Sequence, residues 1–245
     1  MLILTLHMEN GLRQLIIESF QELQDRPSLF LPKIFTSLIG SIWMLAVLGG
    51  IETMNTELMI GGLLVFPVVF FLGVWSPVVV AEMVKEKSGL KEALMSTTDY
   101  LGKMIGTAII LIAGTTVSLI PFYAGLAALV IYGNILPAVI GGLLSAVMVL
   151  AVVYGIYFLP VTLIENNLGK SFRESFSTSR NNSREVTALL MFSFALLGLA
   201  AFTKGRLRGL GIAGFITGRA ISSIISTYTV IISPKYYLKE IEKEK

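Results

Sequence analysis

Arg219 stands near the middle of an otherwise apolar run, and it is the residue with the strongest case for chemistry in the chain. A charge at the centre of a spanning helix costs about 3 kcal/mol by insertion scales. Ser222, Ser226, Thr229 and Ser233 follow it at alternating four- and three-residue steps, one stripe on a helix. Such a stripe is wasted on lipid, so this face is expected to look into a helix bundle. Two readings are open. Arg219 is a fixed positive charge in an anion or headgroup site, or it is a structural tie. In the tie, the serines hydrogen-bond neighbouring helices and Arg219 pairs with Glu52 or Glu57. Lys204 and Arg208 lie one turn apart, with Arg219 eleven residues beyond Arg208. On a continuous helix all three share a face that a phosphate bridges, since arginine binds phosphate bidentately. Three basic residues at a helix end also simply anchor it among headgroups. Gly214, Gly218, Ser222 and Ser226 form a small-residue ladder that close helix packing explains.

Glu82 and Glu165 each lie five residues after a proline, Pro77 and Pro160. Converging carboxylates do acid–base work. Otherwise the two sit in water at the ends of their helices. Other chemistries fail on inventory. The only aspartates, Asp25 and Asp99, fall in expected loops, so an intramembrane aspartate pair is excluded. His7 is the single histidine and lies outside every expected crossing. There is no cysteine, hence no disulfide or thiolate metal site. No Gly-Lys-Thr phosphate loop is present. We expect no cofactor, no metal and no catalytic set.

The elements that position these residues follow from hydropathy. The chain is 54% hydrophobic and 14% charged, too apolar for an ordinary soluble domain. Residues 58–81 and 104–164 carry no charge. A crossing needs about 20 apolar residues, so the longer run holds two crossings and a turn. The turn is expected at Tyr132-Gly133-Asn134, with Pro137 opening the next helix and Pro121 kinking or ending the previous one. Six crossings are expected, at roughly 29–50, 57–81, 104–128, 136–160, 185–203 and 209–233. Met1 to Met8 is too short for a signal-peptide core and lacks a basic start, so no cleaved leader is expected.

A pattern recurs three times: an amphipathic helix, two apolar runs and a proline, at Ser76-Pro77, Leu159-Pro160 and Ser233-Pro234. The copies open at Gly11-Leu12-Arg13, Gly89-Leu90-Lys91 and Gly169-Lys170, giving units of roughly 9–88, 89–168 and 169–245. Leu12, Leu15, Ile16, Phe20 and Leu23 mark the apolar face of the first amphipathic helix, and Leu90, Ala93, Leu94 and Leu101 that of the second. The third carries Ser171-Phe172-Arg173-Glu174, the spacing of a reciprocal N-terminal cap, on a serine-rich background. These helices suit the bilayer surface. They are expected to pack on the inner end and turn the chain, with partner docking as the other reading.

Fifteen lysines and arginines fall on one side of a six-pass arrangement, against three, Lys204, Arg206 and Arg208, on the other. That puts both termini in the cytoplasm. The net charge of +3 is small and its cations sit in short loops, so nucleic acid is excluded as a partner. The expected partners are the lipid bilayer and membrane or cytoplasmic proteins.

The stretch from Pro160-Val161-Thr162-Leu163-Ile164-Glu165-Asn166-Asn167-Leu168-Gly169 through Lys170-Ser171-Phe172-Arg173-Glu174-Ser175-Phe176-Ser177-Thr178-Ser179-Arg180-Asn181 carries a resemblance. It comprises a proline, an acidic or amide pair, glycine, then a serine-containing amphipathic helix, with a weaker echo from Pro77 to Thr97. It resembles the recurring element of six-pass prokaryotic membrane families, archaeal ones among them. Those are similar to the membrane domain attached to some glycerophosphoryl diester phosphodiesterases. The phosphodiesterase activity belongs to a separate soluble domain that this chain lacks. The resemblance therefore implies a membrane module rather than an enzyme, and carries over no catalytic residues.

The sequence thus predicts an all-α polytopic bundle in the cell membrane, a single integral domain over residues 1–245. The leading expectation is a non-catalytic membrane module, permease-like or lipid-handling. One alternative is a small-solute or anion transporter using Arg219 and its stripe. The other is a lipid-modifying enzyme using Glu82 or Glu165.

Overall fold

A computed structural model gives the fold. It describes the backbone of residues 2–209 and 211–244, and the side chains of residues 11–207, 209 and 211–239. His7, Lys243 and Lys245 lie outside the described side chains.

Described residues form helices and no strands. In chain order these are α1 (Leu2–Asp25), α2 (Leu31–Glu52), α3 (Thr56–Lys85), α4 (Leu90–Thr97), α5 (Leu101–Tyr132), α6 (Leu136–Gly155), α7 (Leu159–Glu165), α8 (Leu168–Asn181), α9 (Ser183–Arg208) and α10 (Gly211–Glu244). Six segments are long and apolar enough to cross a membrane: Pro27–Glu52, Thr56–Lys85, Leu90–Tyr132, Leu136–Glu165, Ser183–Leu207 and Gly211–Lys239. Their outward faces are aliphatic. Leu63, Leu64, Val130 and Leu143 expose between 64% and 84% of their surface, a pattern stable only with hydrocarbon as solvent.

The crossings pair as hairpins α2–α3, α5–α6 and α9–α10, and α10 also packs on α1, α2, α3 and α7. The three hairpin turns share one end. The other end gathers Lys85, Lys103 and Lys235, which reach Glu165, Leu163 and Glu22 across the bundle; we call it the basic end. Asn55 caps α3 by accepting from the Leu58 N–H at 3.1 Å. Gly133 ends α5 at φ +67°, a left-handed cap that glycine adopts without strain. Pro137 lies in the first turn of α6, where its missing N–H costs nothing.

Pro77, Pro121 and Pro234 do not end their helices; for Pro121, of the expected kink or end, only the end is excluded. α3 continues through Pro77 to Lys85, α5 through Pro121 to Tyr132, and α10 through Pro234. Neighbouring groups re-satisfy the backbone that proline frees. Beside Pro121, for example, the Ser145 hydroxyl accepts from the Phe122 N–H at 3.0 Å. The fourth crossing does break, but before its proline. α6 stops at Gly155, and Pro160 sits in the first turn of a new helix, α7.

The best-packed core lies at the basic end. Val78 to Val84 are all buried, as are Val161 to Ile164, Ile231, Ile232, Tyr236 and Tyr237. Segments following or flanking Pro77, Pro160 and Pro234 thus meet, sealed by Leu15 and Leu23 of α1 and Leu29. The apolar face of α1 is narrower than its spacing suggested: Phe20 is 54% exposed and meets Tyr228 edge-on. In α4 only Ala93 of the expected apolar set is buried, while Leu94 and, at the start of α5, Leu101 are exposed.

Candidate functional site

Arg219 lies on α10 facing α2. Its Nη2 donates to the Met44 sulfur at 2.8 Å, and its guanidinium lies over the Phe215 ring, 5.6 Å from the centroid. Its Nε is buried with no acceptor. Among the described residues no carboxylate pairs with it, and Glu52 and Glu57 are both exposed. The expected ion pair is therefore not made, because both acids sit in the α2–α3 turn, where water solvates them better. Lys204 of α9 lies at the same level: a Cβ on Gly218 would come within 3.2 Å of the Lys204 Cα. Arg206 stacks 5.2 Å above the Phe202 ring. The Arg208 side chain lies outside the described residues.

The hydroxyl stripe mostly serves its own helix. Ser226 donates to Ser223 O at 3.0 Å and Thr229 to Ser226 O at 2.8 Å. A serine that bonds back to its own helix needs no partner elsewhere. Only Ser233 crosses, donating to Tyr157 O at 2.6 Å beside the α6–α7 break. Ser222 is half-buried; the fully buried hydroxyls are its neighbours Ser223 and Thr227. Spacing alone missed these two, because the stripe was drawn one residue away from the face that α2 covers. Ser37 of α2 reaches Arg219 O at 3.4 Å. The ladder holds at Gly214 and Gly218, which are buried, and loosens at Ser222 and Ser226.

The two carboxylates part company. Glu82 is 4% exposed, not in water as expected. The Ser96 hydroxyl of α4 donates to one oxygen, and the other is buried without a partner. The helix runs past Pro77, so Glu82 is drawn into the core rather than released at its rim. Glu165 stays partly solvated and pairs with Lys85 at 3.3 Å. The Tyr237 hydroxyl lies 3.3 Å from it and also donates to Glu174, whose second oxygen accepts from Asn166 at 2.7 Å. A second knot holds α1: Glu22 accepts from Arg26 at 3.1 Å and Lys235 at 2.9 Å. Arg26 also donates to Met83 O and Ser88 O, at 3.0 and 2.6 Å. These knots clasp helix ends together, and each cation already has its acceptors. Among the described residues no group of acids and histidines is placed to hold a metal ion.

The expected Ser171–Glu174 cap is not formed. Asn167 caps α8, accepting from the Lys170 N–H at 3.0 Å, and Glu174 turns to Tyr237. Ser171, Ser175 and Ser179 instead face inward, all fully buried. Ser175 Oγ donates to Gly155 O at 2.8 Å and accepts from the Phe158 N–H at 3.2 Å, bridging the α6–α7 break. Ser171 donates to Thr162 O at 3.0 Å, and Thr162 returns a bond to Ser171 O at 3.1 Å. Their four-residue spacing was the available signal.

No family model, curated protein or solved structure matches the chain.

Proposed function

We propose that this multi-pass protein is a lipid-handling membrane module without chemistry of its own, and that Arg219 with Lys204 forms its headgroup site. The observation that carries this reading is the guanidinium without a carboxylate, its Nε buried and unpaired. A planar guanidinium binds phosphate in two parallel hydrogen bonds, and a phosphodiester headgroup supplies the missing charge. Arg219 lies eight residues into α10, about 12 Å from its start at 1.5 Å per residue, so its side chain reaches the headgroup region by snorkelling. Lys204 brings a second cation to the same level. The enzyme alternative is weaker, because Glu82 and Glu165 bind separate partners instead of converging.

The same reading includes the cell membrane as location and cytoplasmic termini, on the basis of the lysine and arginine distribution. It also includes an origin in three tandem units. In support, an amphipathic helix precedes a hairpin in each third of the chain. The same reading has membrane or cytoplasmic proteins working with the module.

Replacing Arg219 with leucine tests the site. Native mass spectrometry of the purified protein is expected to show loss of retained anionic phospholipid, with the fold intact by circular dichroism. Loss of assembly in R219L means a structural tie instead. Unchanged lipid retention removes the site. Vesicle uptake of inorganic phosphate that R219L abolishes makes the ligand a free anion and the protein a transporter.

A further inference from the structure

The outer face of α8 carries a row of cations. Lys170, Arg173 and Arg180 point directly away from the buried Ser171, Ser175 and Ser179, at 100° per residue, and Arg184 extends the row onto α9. All four are exposed, and among the described residues none makes an ion pair or a side-chain hydrogen bond. The one acid of α8, Glu174, is turned inward to Tyr237 and Asn166. The other amphipathic helices differ: α4 sets Lys91 beside Glu92, and α1 carries the acids Glu18 and Glu22 against one cation, Arg13.

The depth of this row is fixed by its neighbours. α6 has 20 residues, about 30 Å of helix, the thickness of a hydrocarbon core. Gly155, its last residue, therefore lies about one hydrocarbon thickness from the hairpin turn, toward the basic end. α8 runs back antiparallel to residues 154–162. Ser171 meets Thr162, Ser175 meets Gly155, and the Tyr154 hydroxyl donates to Ser179 O at 2.6 Å. Phe176, 53% exposed, packs where a Cβ on Gly155 would lie 3.2 Å from its ring. Tyr154, whose hydroxyl reaches Ser179 O, is the ring type enriched at the membrane–water interface.

We propose that α8 is a docking surface for anionic phospholipid headgroups of the leaflet at the basic end. The serine face locks the helix to α6 and α7, so the cations are held in register at the lipid phosphates rather than trailing on a loop. This surface is independent of Arg219, which lies toward the other end of the bundle.

The chain has no cysteine, so Ser177→Cys, in the middle of the row, takes a single nitroxide label. Full-length protein is reconstituted into phosphatidylcholine alone or mixed with phosphatidylglycerol. Label mobility is expected to fall in the mixed bilayer and to recover as salt is raised. With Lys170, Arg173, Arg180 and Arg184 all changed to glutamine, the two bilayers are expected to give the same mobility at unchanged helicity. Each cation near an anionic surface is worth about fivefold, so with four removed the retention of phosphatidylglycerol through detergent exchange falls by roughly 600-fold. Should the fourfold variant not fold, the salt titration of the parent label decides alone. Equal mobility of the parent in both bilayers overturns the proposal. So does a larger immobilisation by soluble polyglutamate than by phosphatidylglycerol, which assigns the row to an acidic protein.

Discussion

Gly141→Val is expected to force the two helices of the second hairpin, α5 and α6, apart and cost about 3 kcal/mol, the upper end of what overpacking does. α5 and α6 approach more closely than side chains allow. A Cβ at Gly141 meets the backbone of Pro121, with its carbonyl carbon at 2.9 Å, and one at Gly125 meets the Ala138 Cα at 2.8 Å. These obstacles are backbone atoms, which cannot turn aside as the tip of a flexible side chain can. Relief requires the helices to move apart. That strains the Ser145 bond to the Phe122 N–H, which stabilises the helix beside Pro121. In lipid, where packing rather than water drives helix association, the lost contact is not replaced. Gly114→Ala is the control: a Cβ there has nothing within 4 Å. It is expected to stabilise α5 by about 0.5–1 kcal/mol through backbone entropy. Unfolding in mixed detergent, followed by circular dichroism, measures both.

Ser175→Ala is expected to be nearly as costly, although it removes one oxygen. The hydroxyl closes the gap between α6 and α7 by bonding Gly155 O and the Phe158 N–H together. Its loss leaves the buried Phe158 N–H and the half-buried Gly155 O unpaired, at about 1–3 kcal/mol for a fully buried group and less for a half-buried one. Water cannot enter easily, since Phe158 is fully buried and stacks on Tyr236, 5.7 Å between ring centroids. Ser177→Ala, on the exposed side of the same helix, is expected within about 0.5 kcal/mol of the parent. Hydrogen exchange at Phe158 separates the two causes: it rises in S175A if the break opens and stays protected if a water bridges it.

Legibility followed the solvent. Lipid demands long uncharged runs, so the six crossings and the turn at Gly133 could be drawn from composition alone. The ends of the crossings could not. Pro77 and Pro160 look alike in sequence, yet one lies inside a helix and the other opens one. The difference depends on which neighbour bonds the freed backbone, here Ser175 from a later helix. Glu82 looked solvated because Ser96, its partner, is fourteen residues away in a segment read as surface. In sequence the α8 serines form only a polar background, with Ser171 in a cap spacing. In a break between helices, a small hydroxyl is what completes the backbone, so they turned inward and left the cations outside. Arg219 was legible as a position and not as a contact, since a methionine sulfur and a phenyl face leave no charge pattern to read.

The account stands on a membrane-spanning bundle whose basic segments share one side. Single cysteines placed at Lys87, Asn134 and Arg180 of the cysteine-free chain, probed with an impermeant maleimide in sealed vesicles, test this directly. Lys87→Cys and Arg180→Cys are expected to label from the same side, and Asn134→Cys only from the other. Labelling of the 87 and 180 sites from opposite sides would contradict the account.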